Sequence, residues 1–443
     1  MSSKRYLRNI DIVLKKSTIE WIGIWSLFIF SFVNIATLVV SLIILLLLFL
    51  KQKEIGAIKV LNIITLRTII NPGLAIDIGS IQTFKWCIIF LCSFYLIFSY
   101  RKIDKRSKVK INNILFFVLL FGLYSTVASF ITSNLPLVAT FKLMSYMIAF
   151  IGILVGIYLT HEKFDWLNWI SKMFMGVMIL SVPLIFNSVG YLRNGHSFQG
   201  VTNQPNMLGI ILVLFFAVIL TRLHLSKVTN DICSYVILGA ILYIGSLTES
   251  RTSLISMTIL LILYVFHLNK NPIKKIISYN IIGFISIIYL MGNDQILMKI
   301  KDFLYKGQET ILYSRFIQID GLLSNFVENP LLGSGFAVPV IPFKSYTFSS
   351  EYVVEPGNLI LSVLSYGGIL GLILFINYLI IIFKSSEKKY KQTVFLFISP
   401  ILISMGEMVF FSTNNIGIWC YMLLSLSIVV GTNLSEGGSG KWK

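Results

Sequence analysis

The chain has 443 residues, of which 56% are hydrophobic and only 13% are charged. Soluble globular domains carry roughly 25% charged residues, so the composition excludes an ordinary soluble domain and indicates an integral membrane protein. The net charge of +18 would suit a nucleic-acid partner, but the basic residues are concentrated in short segments between apolar spans. Positive residues in cytoplasmic loops explain that distribution, and we expect no nucleic-acid binding.

The apolar runs predict the helices, since a helix needs about 20 apolar residues to cross a bilayer. Residues 21–50 exceed one untilted helix and suggest two short helices broken around Asn34, and 55–72 suggests another, ended by the Asn-Pro-Gly sequence at 71–73. Clearer spans lie near 83–99, 111–132, 135–160, 167–188, 206–225, 232–248, 250–268, 275–292, 357–384, 391–410 and 415–432. We predict an all-α polytopic membrane protein with about 12–14 transmembrane helices.

The distribution of lysine and arginine predicts the orientation. The loop at 101–110 has six basic residues and one acidic residue, which is typical of a cytoplasmic loop. Strict alternation of the spans then places outside the long connection at 293–356, together with the loops that carry Arg193 and Arg251. That connection has five basic and seven acidic residues, a net charge of −2 that fits an external loop.

We expect residues 1–432 to form a single integral membrane domain, followed by a flexible tail at 433–443. The external loop at 293–356 is long, and long loops are usually functional. Within it, apolar residues recur at helical spacing over 311–329, which predicts an amphipathic helix on the outer surface, ended by Asn329 and Pro330.

Three arginines, Arg193, Arg251 and Arg315, fall on the same predicted outer side. Arginine is always charged, and its planar fork of donors suits the oxygens of a phosphate or diphosphate. The alternative is simple ion pairing, of Arg251 with Glu249 or of Arg315 with Asp320. Because all three lie in segments rich in Gly, Asn and Pro, where a backbone can approach a ligand, we favour an anion-binding site.

The segments around these arginines resemble the O-antigen ligase and O-antigen (capsular or exopolysaccharide) polymerase superfamily. The matching sequences are GVTNQPNMLGI from Gly200, ESR at Glu249–Arg251, SRF at Arg315 followed by ENPLLGSGF, and GNLILSVLSYGGILGLILF from Gly357. Each motif is short, but their order and spacing match across roughly residues 190–375. The N-terminal third carries no comparable motif.

The resemblance implies a metal-independent membrane glycosyltransferase of the GT-C type, which transfers a glycan from a polyprenyl diphosphate to an acceptor sugar hydroxyl at the outer leaflet. It implies that arginines stabilise the departing diphosphate while a base takes the acceptor proton. As catalytic residues we predict Glu355, Arg315 and Arg251. As substrate-binding residues we predict Arg193, Arg251, Arg315, Asn206, Asn358, Lys142 and Arg67. Glu351, Asp320 and His196 are further candidates for the base.

One position departs from the ligases of this family. They usually carry a histidine before the asparagine that corresponds to Asn358, whereas this chain has Gly357. This favours a polymerase, which extends a growing chain on a new lipid-linked repeat unit. The alternatives are a ligase that transfers the glycan to another acceptor and, in a different class, a lipid-linked oligosaccharide flippase or transporter, which should show internal repeats and charges at mid-bilayer.

The expected partners are a polyprenyl-diphosphate-linked oligosaccharide, membrane lipid and other polysaccharide-assembly proteins, such as a flippase and a chain-length regulator. The expected location is the bacterial plasma (inner) membrane, with the active site facing outside. No cofactor or metal is predicted, because the four cysteines lie in apolar runs without ligand spacing.

Overall fold

The computed structural model describes residues 18–76, 82–226, 232–268, 316–338, 357–386, 390–413 and 415–430. Across these ranges the regular structure is helical, joined by one isolated β-bridge, which confirms the predicted all-α polytopic membrane protein. The α-helices in chain order are α1 Thr18–Phe30, α2 Ile35–Thr68, α3 Gln82–Phe98, α4 Lys105–Thr132, α5 Pro136–Thr160, α6 Trp166–Ser181, α7 Pro205–Ser226, α8 Ile232–Leu247, α9 Arg251–Leu268, α10 Phe316–Glu328, α11 Leu359–Ser385, α12 Tyr390–Ser404 and α13 Gly417–Val429.

Seven of the described helices are long and apolar enough to cross a membrane, and five shorter apolar helices accompany them. The predicted span at 275–292 lies outside the described residues, so the total of about 12–14 spans stays a prediction.

The break predicted around Asn34 is present. Asn34 caps the start of α2, where its side chain accepts from the backbone N–H of Thr37 at 2.8 Å and the Thr37 hydroxyl accepts from the Asn34 N–H. Inside α2, Lys53 adopts a φ of 53° and divides the helix into two arms, 35–52 and 54–68. The backbone of Gly56 lies against that of Leu48 and Phe49, so the arms run side by side as a hairpin.

The centre of the bundle is formed by α5, α7 and α13, and α13 is buried along its whole length. These helices are apolar on every side, which is expected of helices enclosed by others. Helices α3 and α4 lie outside them and expose large apolar side chains, among them Leu91, Phe116 and Leu119. In a membrane protein such side chains face lipid.

Five connecting segments meet at one end of the bundle, here called the site end: 69–76, 182–204, 247–251, 329–338 and 405–416. Backbone bonds join the first three, from Asn71 N–H to Val201 O at 2.9 Å and from Phe198 N–H to Leu247 O at 2.8 Å. The ring of Phe336, in the fourth segment, lies 5.0 Å from that of Phe411 in the fifth. The opposite end carries the turns at 53–54, 99–104 and 161–165.

The span predicted at 391–410 is shorter than expected. Helix α12 ends at Ser404, and residues 405–413 and 415–416 are irregular instead. The apolar run Met408–Phe411 misled the prediction, because these side chains are buried inside the protein rather than continuing a helix. Phe410 and Phe411 join an aromatic cluster with Tyr146 and Phe375.

Candidate functional site

Hydrogen bonds hold the backbone of the loop that carries Arg193, from Val189 to Gly200. Gln199 is buried, and its Oε1 accepts from the backbone N–H of Arg193 at 2.9 Å. On the far side, the Nδ2 of Asn71 donates to Val189 O at 2.7 Å and to Gly200 O at 2.9 Å. The Arg193 side chain itself is exposed. The loop therefore presents a cation at the site end from a fixed backbone.

The turn between α8 and α9 is bonded to this loop through Glu249. The Ser197 hydroxyl donates to Glu249 Oε2 at 2.8 Å, and His196 Nε2 lies 3.6 Å from the same oxygen. Glu249 has a φ of 52°, a left-handed conformation that costs a residue with a Cβ about 1–2 kcal/mol. Strain of this kind often accompanies function. The bonds bring the Arg193 loop and the Arg251 turn together, and the shared anion site of their arginines stays a prediction.

Arg251 is half-buried and is the first residue of α9. The N-terminus of a helix carries partial positive charge, so a cation there is unfavourable by a few tenths to about 1 kcal/mol. The same position favours a bound anion, because both the N–H groups of the first helical turn and the guanidinium attract it. The role of Arg251 as a phosphate contact stays a prediction.

The structure adds a carboxylate that the sequence prediction did not include in the site. Asn206, predicted to bind substrate, donates its Nδ2 to Glu407 Oε1 at 2.8 Å. The neighbouring Gly406 packs so closely on Thr252 that a Cβ there would lie 1.9 Å from the Thr252 hydroxyl. Glu407 thus sits beside the turn that carries Arg251. Its position in a long apolar run concealed it, and the Gly-Glu pair at 406–407 was the available signal.

The ENPLLGSGF segment lies across a break in α11. Gly368 has a φ of 62°, and Ser334 and Gly335 donate backbone N–H groups to Ser365 O at 2.8 Å and Tyr366 O at 3.2 Å. A Cβ on Gly333 would lie 2.5 Å from the backbone nitrogen of Gly367. The ENPLLGSGF segment and α11 can therefore approach this closely only with glycine at position 333. This explains why the two glycine-rich motifs occur together.

Two predicted substrate-binding residues flank this joint. Lys142 is half-buried and donates to Ala337 O at 3.0 Å, which ties α5 to the end of the ENPLLGSGF segment. Asn358 is the N-cap of α11, and its Oδ1 accepts from the Leu361 N–H at 3.1 Å. Both side chains hold backbone at the site end, and their substrate roles stay predictions.

The predicted helix over 311–329 is present from Phe316 to Glu328 as α10, which packs on α11. Leu322 is buried while Phe316 and Val327 are exposed, so apolar residues lie on two sides. Arg315 and Glu355, predicted to be catalytic, and Glu351 lie outside the described residues.

The Arg67 side chain contacts the end of α1 and the segment that follows α2. Its Nη2 donates to Ser31 O at 3.3 Å and Ile76 O at 3.1 Å, and its guanidinium lies 5.6 Å from the centre of the Phe32 ring. The sequence predicted Arg67 as an extension of the arginine cluster. Its contacts with α1 were not foreseen, and its role in substrate binding stays a prediction.

Residues 234–376, about a third of the chain, match the family model described as O-antigen ligase. The matched part contains most of α8, all of α9 and α10, the Arg251 turn, the ENPLLGSGF segment and the first two-thirds of α11. The Arg193 loop, Asn206 and Glu407 lie outside it. No curated protein matches the chain.

The match confirms the predicted resemblance to the O-antigen ligase and polymerase superfamily. That family implies a lipid-linked oligosaccharide as substrate. The chain is a multi-pass membrane protein in which residues 234–376 match the O-antigen ligase family model, and this match implies an O-antigen ligase- or polymerase-like membrane enzyme.

Proposed function

We propose that the protein is a polysaccharide polymerase of the plasma membrane, active at the outer leaflet. It moves a growing glycan from its polyprenyl diphosphate to the incoming lipid-linked repeat unit. The observation that carries the proposal is the joint between the Arg193 loop and the Arg251 turn, made by the Ser197–Glu249 and Phe198–Leu247 bonds. It gathers two arginine-bearing segments on one end of the bundle.

The reaction follows from this arrangement. An acceptor hydroxyl oxygen attacks the anomeric carbon of the donor sugar, the bond from that carbon to the diphosphate oxygen breaks, and the diphosphate leaves with the electron pair. Fixed arginines stabilise the charge that develops on the leaving group, without a divalent ion. We assign this role to Arg193, Arg251 and, in the external loop, Arg315.

The proton of the acceptor hydroxyl passes to a base. Glu355 is our first candidate because it directly precedes the Pro-Gly-Asn sequence at 356–358 that leads into α11. Glu407 is the second candidate, supported by its hydrogen bond to Asn206 and by the contact of Gly406 with Thr252. A general base contributes roughly 10²–10⁴-fold to the rate, so the two assignments are separable by substitution.

The histidines support a polymerase over a ligase. Three of them lie away from the site end: His161 follows the last residue of α5, and the rings of His224 and His267 lie 6.4 Å apart near the ends of α7 and α9. Among the described residues of the site end, His196 is the only histidine. The position before Asn358, where ligases of the family usually carry histidine, is Gly357.

The test is elongation by the purified protein supplied with a lipid-linked repeat unit in the presence of EDTA. A polymerase produces a ladder of lengthening lipid-linked products. A single transfer to a different acceptor would replace the proposal with a ligase. Movement of the intact lipid-linked unit across vesicles without new glycosidic bonds would replace it with a flippase.

A further inference from the structure

A cavity lies in the part of the chain that carries no family motif. It is enclosed by α1, both arms of α2 and the start of α3, and contains about 590 Å³ of space free of protein atoms, including its open side. Its wall is mostly apolar and includes Leu27, Phe28, Leu38, Leu45 and Ile64. An apolar lining of this kind that is open on one side suits a hydrocarbon chain.

Two cations line the same cavity. Arg67 belongs to the last turn of α2, Lys85 to the first turn of α3, and each is only 9% exposed. The bonds from Arg67 Nη2 to Ser31 O and Ile76 O fix the direction of its guanidinium. The wall is therefore apolar along its length and cationic toward the site end, where both helix ends lie.

Lys85 differs from the other buried lysine of this region. Lys59 is 1% exposed and forms an ion pair with Glu20. Over the ranges that the structure describes, none of the ion pairs includes Lys85, whose ammonium lies 6.0 Å from the centre of the Trp86 ring. A buried ammonium is costly without an anion, so an external anion beside Lys85 would stabilise it.

A second groove provides the contrast. It lies between α4 and α5 and is lined by apolar residues, one glycine and one threonine, without a charged side chain. Such a groove suits the tails of any membrane lipid. The α1–α3 cavity combines an apolar wall with two buried cations, which suits an anionic lipid headgroup attached to a long chain.

We propose that the α1–α3 cavity binds the prenyl chain of the acceptor, with the acceptor's diphosphate between Arg67 and Lys85. This assignment rests on the proposed function, because a polymerase holds two lipid-linked substrates at once and the arginines of the Arg193 loop and the Arg251 turn are assigned to the donor. The two headgroup positions are connected. Three residues after Arg67, Ile70 forms a β-bridge with Thr202, and Asn71 holds the Arg193 loop.

The test counts bound lipid on the full-length protein in detergent. Native mass spectrometry is performed with a polyprenyl diphosphate that carries no sugar. The parent should bind two molecules, whereas Lys85→Met, which removes the charge and keeps the length, and Leu38→Trp, which fills the cavity, should each retain one. Lys172→Met removes an exposed lysine from α6 and should bind two. Melting temperatures of all variants establish that they are folded.

A kinetic measurement separates this site from the donor site. Lys85→Met should raise the KM for the acceptor about tenfold or more and leave kcat unchanged, since one charged hydrogen bond is lost. Two molecules bound by folded Lys85→Met, or equal competition from phosphatidylglycerol, would overturn the inference. Arg251→Ala should weaken the other bound molecule. If it does not, the donor assignment fails while the α1–α3 site stands.

Discussion

The two ends of the bundle differ in the groups that contact their carboxylates. At the opposite end, Glu54 pairs with Lys102 and Glu20 with Lys59, so that charges of opposite sign meet. At the site end, Glu249 accepts from the Ser197 hydroxyl and Glu407 from the Asn206 amide. The ion pairs at the opposite end tie together segments that are far apart in sequence, whereas the bonds at the site end orient carboxylates beside the arginine-bearing segments. We therefore expect the opposite end to serve stability and the site end to serve chemistry.

Arg251→Ala should produce the largest effect on elongation. Losing a contact that stabilises a developing anion typically costs about 10²–10³ in rate, and Arg315→Ala should behave alike. Arg251→Lys should recover little of this loss, because lysine lacks the planar fork. The measurement is the initial rate of ladder formation, with membrane insertion checked in parallel.

Arg222→Ala is the matched control for Arg251→Ala. Arg222 lies near the opposite end of α7, where its Nη1 donates to the Ser171 hydroxyl at 3.0 Å. Its loss should leave the elongation rate within about twofold of the parent, since this part-buried contact lies away from the site end. Equal losses in Arg222→Ala and Arg251→Ala would remove the distinction between the ends.

Replacing the base should produce the next largest effect. Glutamine keeps the shape and hydrogen bonding of glutamate but accepts no proton, so the correct variant should lose roughly 10² or more in rate while it still binds donor. Glu355→Gln and Glu407→Gln are compared in the same assay. Glu351→Gln and His196→Ala are controls that should lose less of the elongation rate. Parent-like rates in both glutamine variants would mean that positioning and leaving-group stabilisation dominate.

The sequence predicted the helices well because membrane spans depend on a strong local signal, a run of about 20 apolar residues. The break at Asn34 and the end of α2 near Asn71 were also predicted, since asparagine caps and proline act locally. The apolar run at 408–411 was misread, because hydrophobicity alone does not distinguish a lipid-facing helix from an irregular buried segment.

The site was predicted only in part, for a physical reason. Alternation of the spans places the Arg193 loop and the Arg251 turn on the same side, whereas their contact through Ser197 and Glu249 depends on tertiary packing. The pairing of Asn206 with Glu407 joins residues 201 positions apart and depends on tertiary packing. The direction of the Arg67 side chain, toward Ser31 and α1, is likewise a tertiary property.

A smaller effect is expected where the ENPLLGSGF segment packs against the break in α11 at Gly368. The change should affect stability rather than the rate of elongation. Gly368→Ala places a Cβ 2.3 Å from the backbone of Leu331 at a φ of 62°, so the free energy of unfolding should fall by about 1–3 kcal/mol. Thermal unfolding in detergent measures the change. Gly239→Ala is the control, because nothing lies within 4 Å of its added Cβ. An unchanged melting temperature in Gly368→Ala would contradict the described joint.

The smallest effect is expected at the opposite end. Lys102 is 58% exposed, so breaking its pair with Glu54 by Lys102→Met should lower stability by only about 0–1 kcal/mol. Elongation should be unchanged. A large loss of elongation in this variant, with normal folding, would give the opposite end a catalytic role and remove the contrast between the ends.

The central claim is that the site end faces outside, where the lipid-linked donor is used. The most direct test is labelling of single cysteines in a variant that lacks Cys87, Cys92, Cys233 and Cys420, using an impermeant thiol reagent on intact cells. Asn194→Cys, in the exposed part of the Arg193 loop, should react, and Lys163→Cys, at the opposite end, should react only after permeabilisation. The reverse pattern would place the arginines in the cytoplasm and contradict the account.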